Sequence, residues 1–460
     1  MSALTAKLTA ALASRDDRHI RRRLPAPSSP SAPTLTDFSA NDYLSLASSA
    51  HLRAQLLAAL SSAPDILGSG GSRLLVNGAA HAALEARLER FFRAPAALLF
   101  NSGFDANAGF FASVPQPSDA LVLDAHVHAS VHDGARASRV PKALQRPFAH
   151  NDVAALQRVL RALAQPERGF AEGDRSVFVA VESVYSMDGT IAPLEAIVRV
   201  LEETFPAGNG YLVVDEAHAT GVYGPQGRGL VAMLGLEDKV LARLHTFGKA
   251  LAATGAVVLT TPLVRDYLLN YARPLIYTTS LSHANIVAAN CSFDLLENGT
   301  ASALSARLLA NASHFLHLLR TELASVPADL LSLPPHLRSP HSTTPTPDRP
   351  TALPTAIIPL LTRFPRPLSA FLAARGMNAR PITWPTVPKG EDRVRVCLQA
   401  NTTRAELENL VGAAVEWARG MVAEREEERR RRERKELFVG VLISDYARPT
   451  RQMSAHIQNG

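Results

Sequence analysis

The sequence has little cysteine, no long hydrophobic run and no large excess of one charge. Its two cysteines, Cys291 and Cys397, are far apart in 460 residues and make no disulfide framework, so a reducing compartment is expected. No apolar run reaches the roughly 18 residues that cross a membrane. The net charge is +6, and the arginines of the tail are mixed with glutamates. The composition therefore favours neither a secreted protein, nor a membrane protein, nor a nucleic-acid partner.

The composition that remains is typical of a globular enzyme. The chain is 47% hydrophobic and 20% charged, and it is long enough for two or three domains around a large core. Asp16 and Asp17 argue against a mitochondrial presequence, so residues 1–27 are predicted to include an N-terminal helix of the mature fold. The last three residues are not a peroxisomal signal of the Ser-Lys-Leu type. A cytoplasmic location is expected, with mitochondria and peroxisomes left open.

Short apolar runs alternate with stretches that have helical spacing, which predicts an α/β fold. Five such runs are predicted as strands of a large, mostly parallel central sheet: 97–100, 120–123, 177–181, 211–214 and 256–259. Two later runs, 356–360 and 393–398, are predicted as strands of a smaller α+β domain. Because ligands bind at the carboxyl ends of strands in such sheets, we expect the functional site there.

The domain organisation follows from these patterns. Residues 1–50 are predicted as an N-terminal helix and linker, and residues 51–290 as the large, cofactor-binding domain. Residues 291–418 are predicted as the C-terminal small domain, which contains a proline-rich insertion at 331–355. Residues 419–460 are predicted as a charged tail, with a solvated helix over 424–436.

A lysine, an acid and a histidine at strand ends point to pyridoxal phosphate (PLP). Asp215 and His218 follow the run 211–214, and Lys249 lies in the small-residue turn of Thr246-Phe247-Gly248-Lys249. PLP chemistry needs a lysine for a Schiff base and a carboxylate that keeps the pyridine nitrogen protonated. For the lysine turn alone, an ordinary surface lysine is an equally good interpretation.

Further motifs surround this pattern. The turn 101–107 follows a predicted strand and offers free N–H groups at a helix start, which suits a phosphate, although Phe104 is equally a packing residue. His126 and His128 also follow a strand; a metal site lacks a third ligand, so a histidine stacked on a flat ring is favoured. Gly68–Arg73 is either a plain loop or a close approach to a ligand, and Asp188 is predicted in a turn.

Together the motifs resemble the α-oxoamine synthases, a PLP-dependent family of fold type I. The similar blocks, in family order over roughly residues 15–415, are F-S-A-N-D-Y-L-S-L (38–46), G-S-G-G-S-R (68–73), N-S-G-F-D-A-N (101–107), H-A-S (128–130), V-Y-S-M-D-G (184–189), V-D-E-A-H-A-T-G (214–221), G-P-Q-G-R-G (224–229), T-F-G-K (246–249) and I-Y-T-T-S (276–280). Ser45 departs from a glycine that is usual in the family, and Cys397 and Gln399 follow Arg395 where a threonine is common.

The resemblance implies a role for each matching residue. Lys249 would form the Schiff base, Asp215 would pair with the ring nitrogen, and His128 would stack on the ring. His218 and Ser186 would contact the phenolic oxygen side of PLP, and Gly103, Phe104 and Thr246 would hold its phosphate. Thr278 or Thr279 would reach the phosphate in a neighbouring subunit, which implies a homodimer with shared active sites. Arg395 would bind the amino-acid carboxylate, and Asn41 and Arg21 would line the acyl side, with Arg21 ambiguous among three consecutive arginines.

The implied activity is an acyl transfer. Similarity to the biotin-pathway branch of the family implies decarboxylative condensation of L-alanine with pimeloyl-CoA or a pimeloyl carrier protein. Alternatives are an α-oxoamine synthase with another amino acid or acyl donor, a PLP aminotransferase, and a catalytically inactive partner subunit. The last usually lacks the lysine, whereas Lys249 is present.

Overall fold

A computed structural model describes residues 2–18, 20–24, 35–76, 78–165, 169–338 and 353–446. Residues 339–352 of the predicted proline-rich insertion and residues 447–460 of the predicted tail lie outside this part of the chain. Within the described part, no helix is long and apolar enough to cross a membrane.

A seven-stranded sheet lies between residues 96 and 260 of the chain. Its strands are β2 (Ala96–Phe100), β3 (Ala120–Asp124), β4 (Gln145–Phe148), β5 (Val177–Glu182), β6 (Gly210–Asp215), β7 (Ala242–Thr246) and β8 (Ala256–Thr260). Their spatial order is β2-β8-β7-β6-β5-β3-β4, and only β8 runs against the other six. Every residue of β2, β3, β5 and β8 is buried, as expected for a sheet that helices cover on both faces. The predicted α/β class and mostly parallel sheet are confirmed.

Fifteen α-helices are described along the chain. They are α1 (Ala3–Asp17), α2 (Ala50–Ser62), α3 (Ala79–Phe92), α4 (Gly103–Ser113), α5 (Ala129–Ala137), α6 (Val153–Leu163), α7 (Leu194–Thr204), α8 (Leu230–Met233), α9 (Pro262–Tyr271), α10 (Arg273–Ile276), α11 (His283–Glu297), α12 (Thr300–Glu322), α13 (Pro335–Arg338), α14 (Pro365–Ala374) and α15 (Arg404–Tyr446). Helix α1 has no buried residue, whereas α7 buries six side chains.

A smaller antiparallel sheet lies in the C-terminal part of the chain. It contains β9 (Ile357–Leu361), β11 (Arg380–Ile382) and β12 (Arg393–Cys397), in the order β11-β12-β9. A separate parallel pair joins β1 (Thr36–Asp37) to β10 (Met377–Asn378). The backbone N–H of Cys397 also donates to the carbonyl of Phe38, at 2.8 Å. These contacts hold the segment that carries Asn41 beside the strand that carries Arg395.

The seven apolar runs that were predicted as strands all contain strands, but β4 and β7 of the central sheet were missed, as were the short strands β1, β10 and β11. Strand β7 contains Arg243 and His245, which are buried although they are polar. Each has a partner: Arg243 donates to the carbonyl of Phe92, and His245 Nδ1 lies 2.9 Å from Thr220 Oγ1. The strand predictions rest on the pattern of apolar side chains. A strand with buried polar side chains that form hydrogen bonds does not show this pattern, so it is not predicted.

The predicted domain division remains a prediction. Its boundary at residue 290 falls inside α11, which continues to Glu297. The charged segment 424–436 lies on α15, and its side chains are exposed.

Candidate active site

The polar ends of three neighbouring strands meet in one cleft. Glu182 is the last residue of β5, Asp215 is the last residue of β6, and Lys249 follows β7 by three residues. The lining residues are Gly103, Phe104, Asn107, His128, Glu182, Asp215, Ala217, His218, Leu244, Thr246 and Lys249. Seven of the residues predicted from the sequence therefore lie together: Gly103, Phe104, His128, Asp215, His218, Thr246 and Lys249.

Hydrogen bonds fix both oxygens of the Asp215 carboxylate. The backbone N–H of Ala217 donates to Oδ1 at 2.9 Å, and Asn107 Nδ2 donates to Oδ2 at 2.8 Å. Asn107 Nδ2 also donates to Ser130 Oγ at 3.0 Å, and Ser130 Oγ lies 2.8 Å from His128 Nδ1. The carboxylate and the imidazole are thus held by one continuous network, which orients both toward the cleft that they line.

The start of helix α4 provides a place for a phosphate. Ser102 Oγ caps the helix by accepting the N–H of Asp105 at 3.1 Å. The preceding N–H groups of Gly103 and Phe104 come before the first helical hydrogen bonds, so they are available to an anion at the positive end of the helix dipole. A Cβ atom at Gly103 would lie 3.5 Å from Thr246 Oγ1, which places this hydroxyl beside the same helix start.

Burial controls the charges of the bases in the cleft. Burial lowers the pKa of the Lys249 ammonium, while the carboxylates of Asp215 and Glu182 act in the opposite direction. Burial also lowers the pKa of His128, and burial together with the charge of Lys249 holds the pKa of His218 well below its usual value. Both imidazoles are therefore neutral at physiological pH.

The Glu182 carboxyl is a second acid in the cleft. Burial raises its pKa well above the usual value, and the negative charge of Asp215 adds to this effect. Glu182 pairs in register with Asp215 across β5 and β6, so the two side chains project from the same face of the sheet. Its Oε1 atom is buried and has no hydrogen-bond partner among the described residues. Burial and the neighbouring charge of Asp215 therefore both favour the protonated form of Glu182.

Arg395 approaches the cleft from the small domain. Its Nη2 donates to Asn41 Oδ1 at 2.8 Å, and Tyr43 Oη donates to the same oxygen at 3.2 Å. Tyr43 Oη also lies 2.6 Å from His218 Nδ1, so one chain of contacts links Arg395 to the cleft. Arg395 Nε is buried without a partner among the described residues. An unpaired N–H of a guanidinium beside an amine-binding site suits a carboxylate.

Six predicted residues lie outside the lining of the cleft, namely Arg395 and Asn41, whose contacts are given above, and Ser186, Thr278, Thr279 and Arg21. Ser186 contributes its backbone N–H to the Glu182 carboxylate, behind the cleft. Asn101 Nδ2 donates to the carbonyl of Thr279 at 2.6 Å and lies 3.4 Å from Thr278 Oγ1. Arg21 Nη1 lies 2.6 Å from Asp16 Oδ2, and both side chains are partly exposed. Their predicted roles remain predictions.

Asn107, Glu182 and Tyr43 were missed as site residues. Asn107 lies one helical turn after Gly103, and this spacing places it on the same face of α4. Glu182 is an acid that ends a buried strand, as Asp215 does, and the sequence shows this signal. No local signal identifies Tyr43, because its contact with His218 joins residues 175 positions apart.

The described residues fit PLP. The cleft combines a helix start for a phosphate, a fixed carboxylate for a ring nitrogen, an imidazole beside them and a buried lysine for an aldehyde. The other histidine of the predicted pair is His126. Its Nδ1 atom lies 3.1 Å from Asp188 Oδ2, and its ring stacks on the ring of His150. Among the described residues, no group of three or more histidines, cysteines or acids is placed to hold a metal.

Comparison with known proteins places the chain among related sequences and folds. The family described as Aminotransferase class I and II matches residues 33–413. An 8-amino-7-oxononanoate synthase of Emericella nidulans is 43% identical over 417 residues, which cover 90% of this chain and 96% of that protein. The aminoacyl transferase sphA of Aspergillus fumigatus is 36% identical over 393 residues, which cover 84% and 81%. A serine palmitoyltransferase from S. paucimobilis, solved with bound PLP-myriocin, has a TM-score of 0.73 at 24% identity and covers 92% of this chain and 100% of that one. The predicted fold type I is confirmed by this likeness.

Proposed function

The chain belongs to the aminotransferase class I and II family, and we propose that it joins L-alanine to a pimeloyl thioester in biotin biosynthesis. The products are 8-amino-7-oxononanoate, carbon dioxide and a free thiol. The acyl carrier is coenzyme A or an acyl carrier protein. The enzyme is PLP-dependent, and PLP supplies an aldehyde that binds amines and a ring that accepts electrons.

The observation that carries the proposal is that Arg395 lies beside a cleft whose residues fit PLP, in a chain 43% identical to an 8-amino-7-oxononanoate synthase. Asn41 holds one edge of the guanidinium, and Nε is left for the alanine carboxylate. When this carboxylate is bound, the orientation of the bonds at alanine Cα is fixed. The bond that is cleaved must have the correct orientation for the reaction.

Lys249 Nζ moves the proton. Burial lowers the pKa of its amine, which favours the neutral form that accepts the proton of alanine Cα. The Asp215 carboxylate, held in place by Asn107 and the backbone of Ala217, would pair with the ring nitrogen and favour its protonated form. Burial and the charge of Asp215 both favour the protonated form of Glu182, which limits the negative charge beside Asp215.

The neutral imidazoles orient their neighbours. His128 offers an uncharged flat face to a ring, since burial lowers its pKa. His218 is fixed by the hydroxyl of Tyr43 at 2.6 Å, and this contact joins it to the acyl side of the cleft through Asn41.

The proposal also includes the oligomeric state and the cellular location of the protein. We infer a homodimer in which Thr278 or Thr279 reaches the phosphate in the partner, because neither lines the cleft of its own chain. Arg21 belongs to the acyl side in the same proposal. A cytoplasmic location is supported by the two free cysteines, Cys291 and Cys397, both of which are buried.

A second candidate is an α-oxoamine synthase with another amino acid or acyl group. It is favoured by the 36% identity to the aminoacyl transferase sphA and by Cys397, whose Sγ lies 3.9 Å from Asn41 Oδ1 where the family commonly has threonine. A panel of amino acids and acyl thioesters, read by product mass, separates the two candidates.

Carbon dioxide release tests the proposal against an aminotransferase. Purified PLP-loaded protein is given L-alanine with a ¹³C-labelled carboxyl group, with and without pimeloyl-CoA. We expect labelled carbon dioxide only with the thioester, and none from Lys249→Ala; Lys239→Ala, which changes an exposed lysine, is the matched control. Pyruvate formation in a reaction that needs a keto acid and no thioester would instead establish aminotransfer.

A further inference from the structure

A second cavity, of about 490 Å³, lies where helix α3 ends. Arg87, Arg90, Arg93 and Arg228 line it, together with Gln226 and Glu297. Arg93 comes before β2, whereas Gly103 of the phosphate cradle comes after it. The five residues of β2 span about 17 Å, so this cavity is separate from the catalytic cleft.

The positive charge of this cavity is not balanced by its own carboxylate. Both oxygens of Glu297 already accept hydrogen bonds from Arg87, at 3.2 and 2.9 Å. Among the described residues, Arg90, Arg93 and Arg228 form no ion pair. Three guanidinium groups therefore surround a space that no carboxylate of the described chain fills.

One of these arginines is buried. Arg228 is 8% exposed, and the hydrogen bond of its Nε goes to the carbonyl of Pro225 at 3.2 Å. Burial lowers the pKa of Arg228, and the positive charge of Arg93 lowers it further. Arg243 lies nearby, with Nη2 on the carbonyl of Phe92 and Nη1 buried without a partner. The carboxylates of Glu216, Glu237 and Asp238 partly offset the charge of Arg243, and that of Glu237 partly offsets the charge of Arg228. Since neither arginine forms an ion pair within the described residues, a bound anion would offset the remaining charge.

The backbone around the cavity is also unusual. Arg93 (φ 52°) and Gln226 (φ 54°) both adopt the left-handed conformation, which residues other than glycine rarely take. At Arg93 this conformation ends helix α3, with the Arg93 N–H donating to the carbonyl of Arg90 at 3.3 Å.

We propose that this cavity is a binding site for a phosphate-bearing anion. Guanidinium groups bind phosphate oxygens in pairs of parallel hydrogen bonds, and three of them suit a ligand with several negative charges better than a single carboxylate. The ligand is either an inorganic phosphate or the phosphate end of a nucleotide. The site is independent of the proposed condensation activity.

Calorimetric titration of the PLP-loaded protein with pyrophosphate tests the site, at an ionic strength held constant with potassium chloride. We expect saturable binding of one pyrophosphate per chain. Arg90→Glu and Arg93→Gly should each weaken it about tenfold or more, while turnover stays unchanged. Arg158→Glu makes the same charge change on the exposed face of α6 and should not alter binding. Arg90→Gln, on an exposed helix face, provides a milder second variant.

Phosphate and ADP distinguish the two sources of the ligand. Tighter binding of ADP than of pyrophosphate, lost in the same variants, supports a nucleotide; equal binding supports an inorganic anion. The proposal is overturned if pyrophosphate and ADP give no saturable heat, or if binding persists unchanged in both Arg90→Glu and Arg93→Gly.

Discussion

Replacing Asn107 tests how the carboxylate of the cleft is held. Its side-chain amide donates to Asp215 Oδ2 at 2.8 Å and to Ser130 Oγ at 3.0 Å, and its side chain is almost fully buried. Asn107→Ala leaves the carboxylate with the backbone N–H of Ala217 as its remaining described donor. A hydrogen bond to a charged group contributes about 1.5–3 kcal/mol. If the carboxylate must be placed for catalysis, the same free energy corresponds to a loss of roughly ten- to hundredfold in kcat/KM.

Asn107→Asp makes the prediction sharper because it preserves shape. The introduced carboxyl donates to Asp215 only when it is protonated; otherwise two negative charges meet at hydrogen-bond distance. We expect its activity relative to wild type to be higher at pH 6 than at pH 8. The assay is steady-state thiol release, with Asn270→Ala on the exposed face of α9 as the control. If both Asn107 variants have the wild-type kcat/KM at both pH values, Asn107 does not position the Asp215 carboxylate for catalysis.

Three further predictions concern charge. Arg395→Lys keeps the positive charge but loses the planar guanidinium group with its paired N–H donors, so the KM for alanine should rise roughly ten- to hundredfold. An unchanged KM would show that Arg395 does not bind the alanine carboxylate. Burial raises the pKa of Glu182, so Glu182→Gln, which mimics the protonated acid, should retain kcat within roughly threefold; a large loss in a variant that still binds PLP would mean that an ionised carboxylate is needed. Burial and the charge of Arg243 hold the pKa of His245 well below its usual value. Its stabilising contribution is therefore complete above the unfolded pKa of about 6.5 and falls by about 1.4 kcal/mol per pH unit below it. Denaturant unfolding at pH 7.5, 6 and 5 should show a shallower loss of stability for His245→Gln, and an equal slope would contradict this.

The sequence predicts the parts of this fold that apolar periodicity controls. Buried strands such as β3 and β5 consist almost entirely of apolar residues, so their pattern is visible without any tertiary information. Strand β4 escaped because it contains Arg146 and Pro147 and pairs only with β3 at the edge of the sheet. Strand β7 escaped because the partners of Arg243 and His245 come from distant parts of the chain.

The site shows the same division between local and long-range information. Asp215 and His218 are recognisable because they come at the end of an apolar run, and Lys249 because it belongs to the short motif Thr246-Phe247-Gly248-Lys249. Asn41 meets Arg395 only after β1 pairs with β10 and the N–H of Cys397 bonds the carbonyl of Phe38, across more than 350 residues. No window of sequence contains such a contact. Side chains that complete a network from another element are therefore the ones that sequence reasoning misses.

Thiol release from pimeloyl-CoA by the purified, PLP-loaded protein is the direct test of the proposed condensation with L-alanine. It is measured with and without L-alanine, and Lys249→Ala serves as the inactive control. We expect release that requires both alanine and Lys249. Release that does not depend on alanine, or full activity in Lys249→Ala, would contradict it.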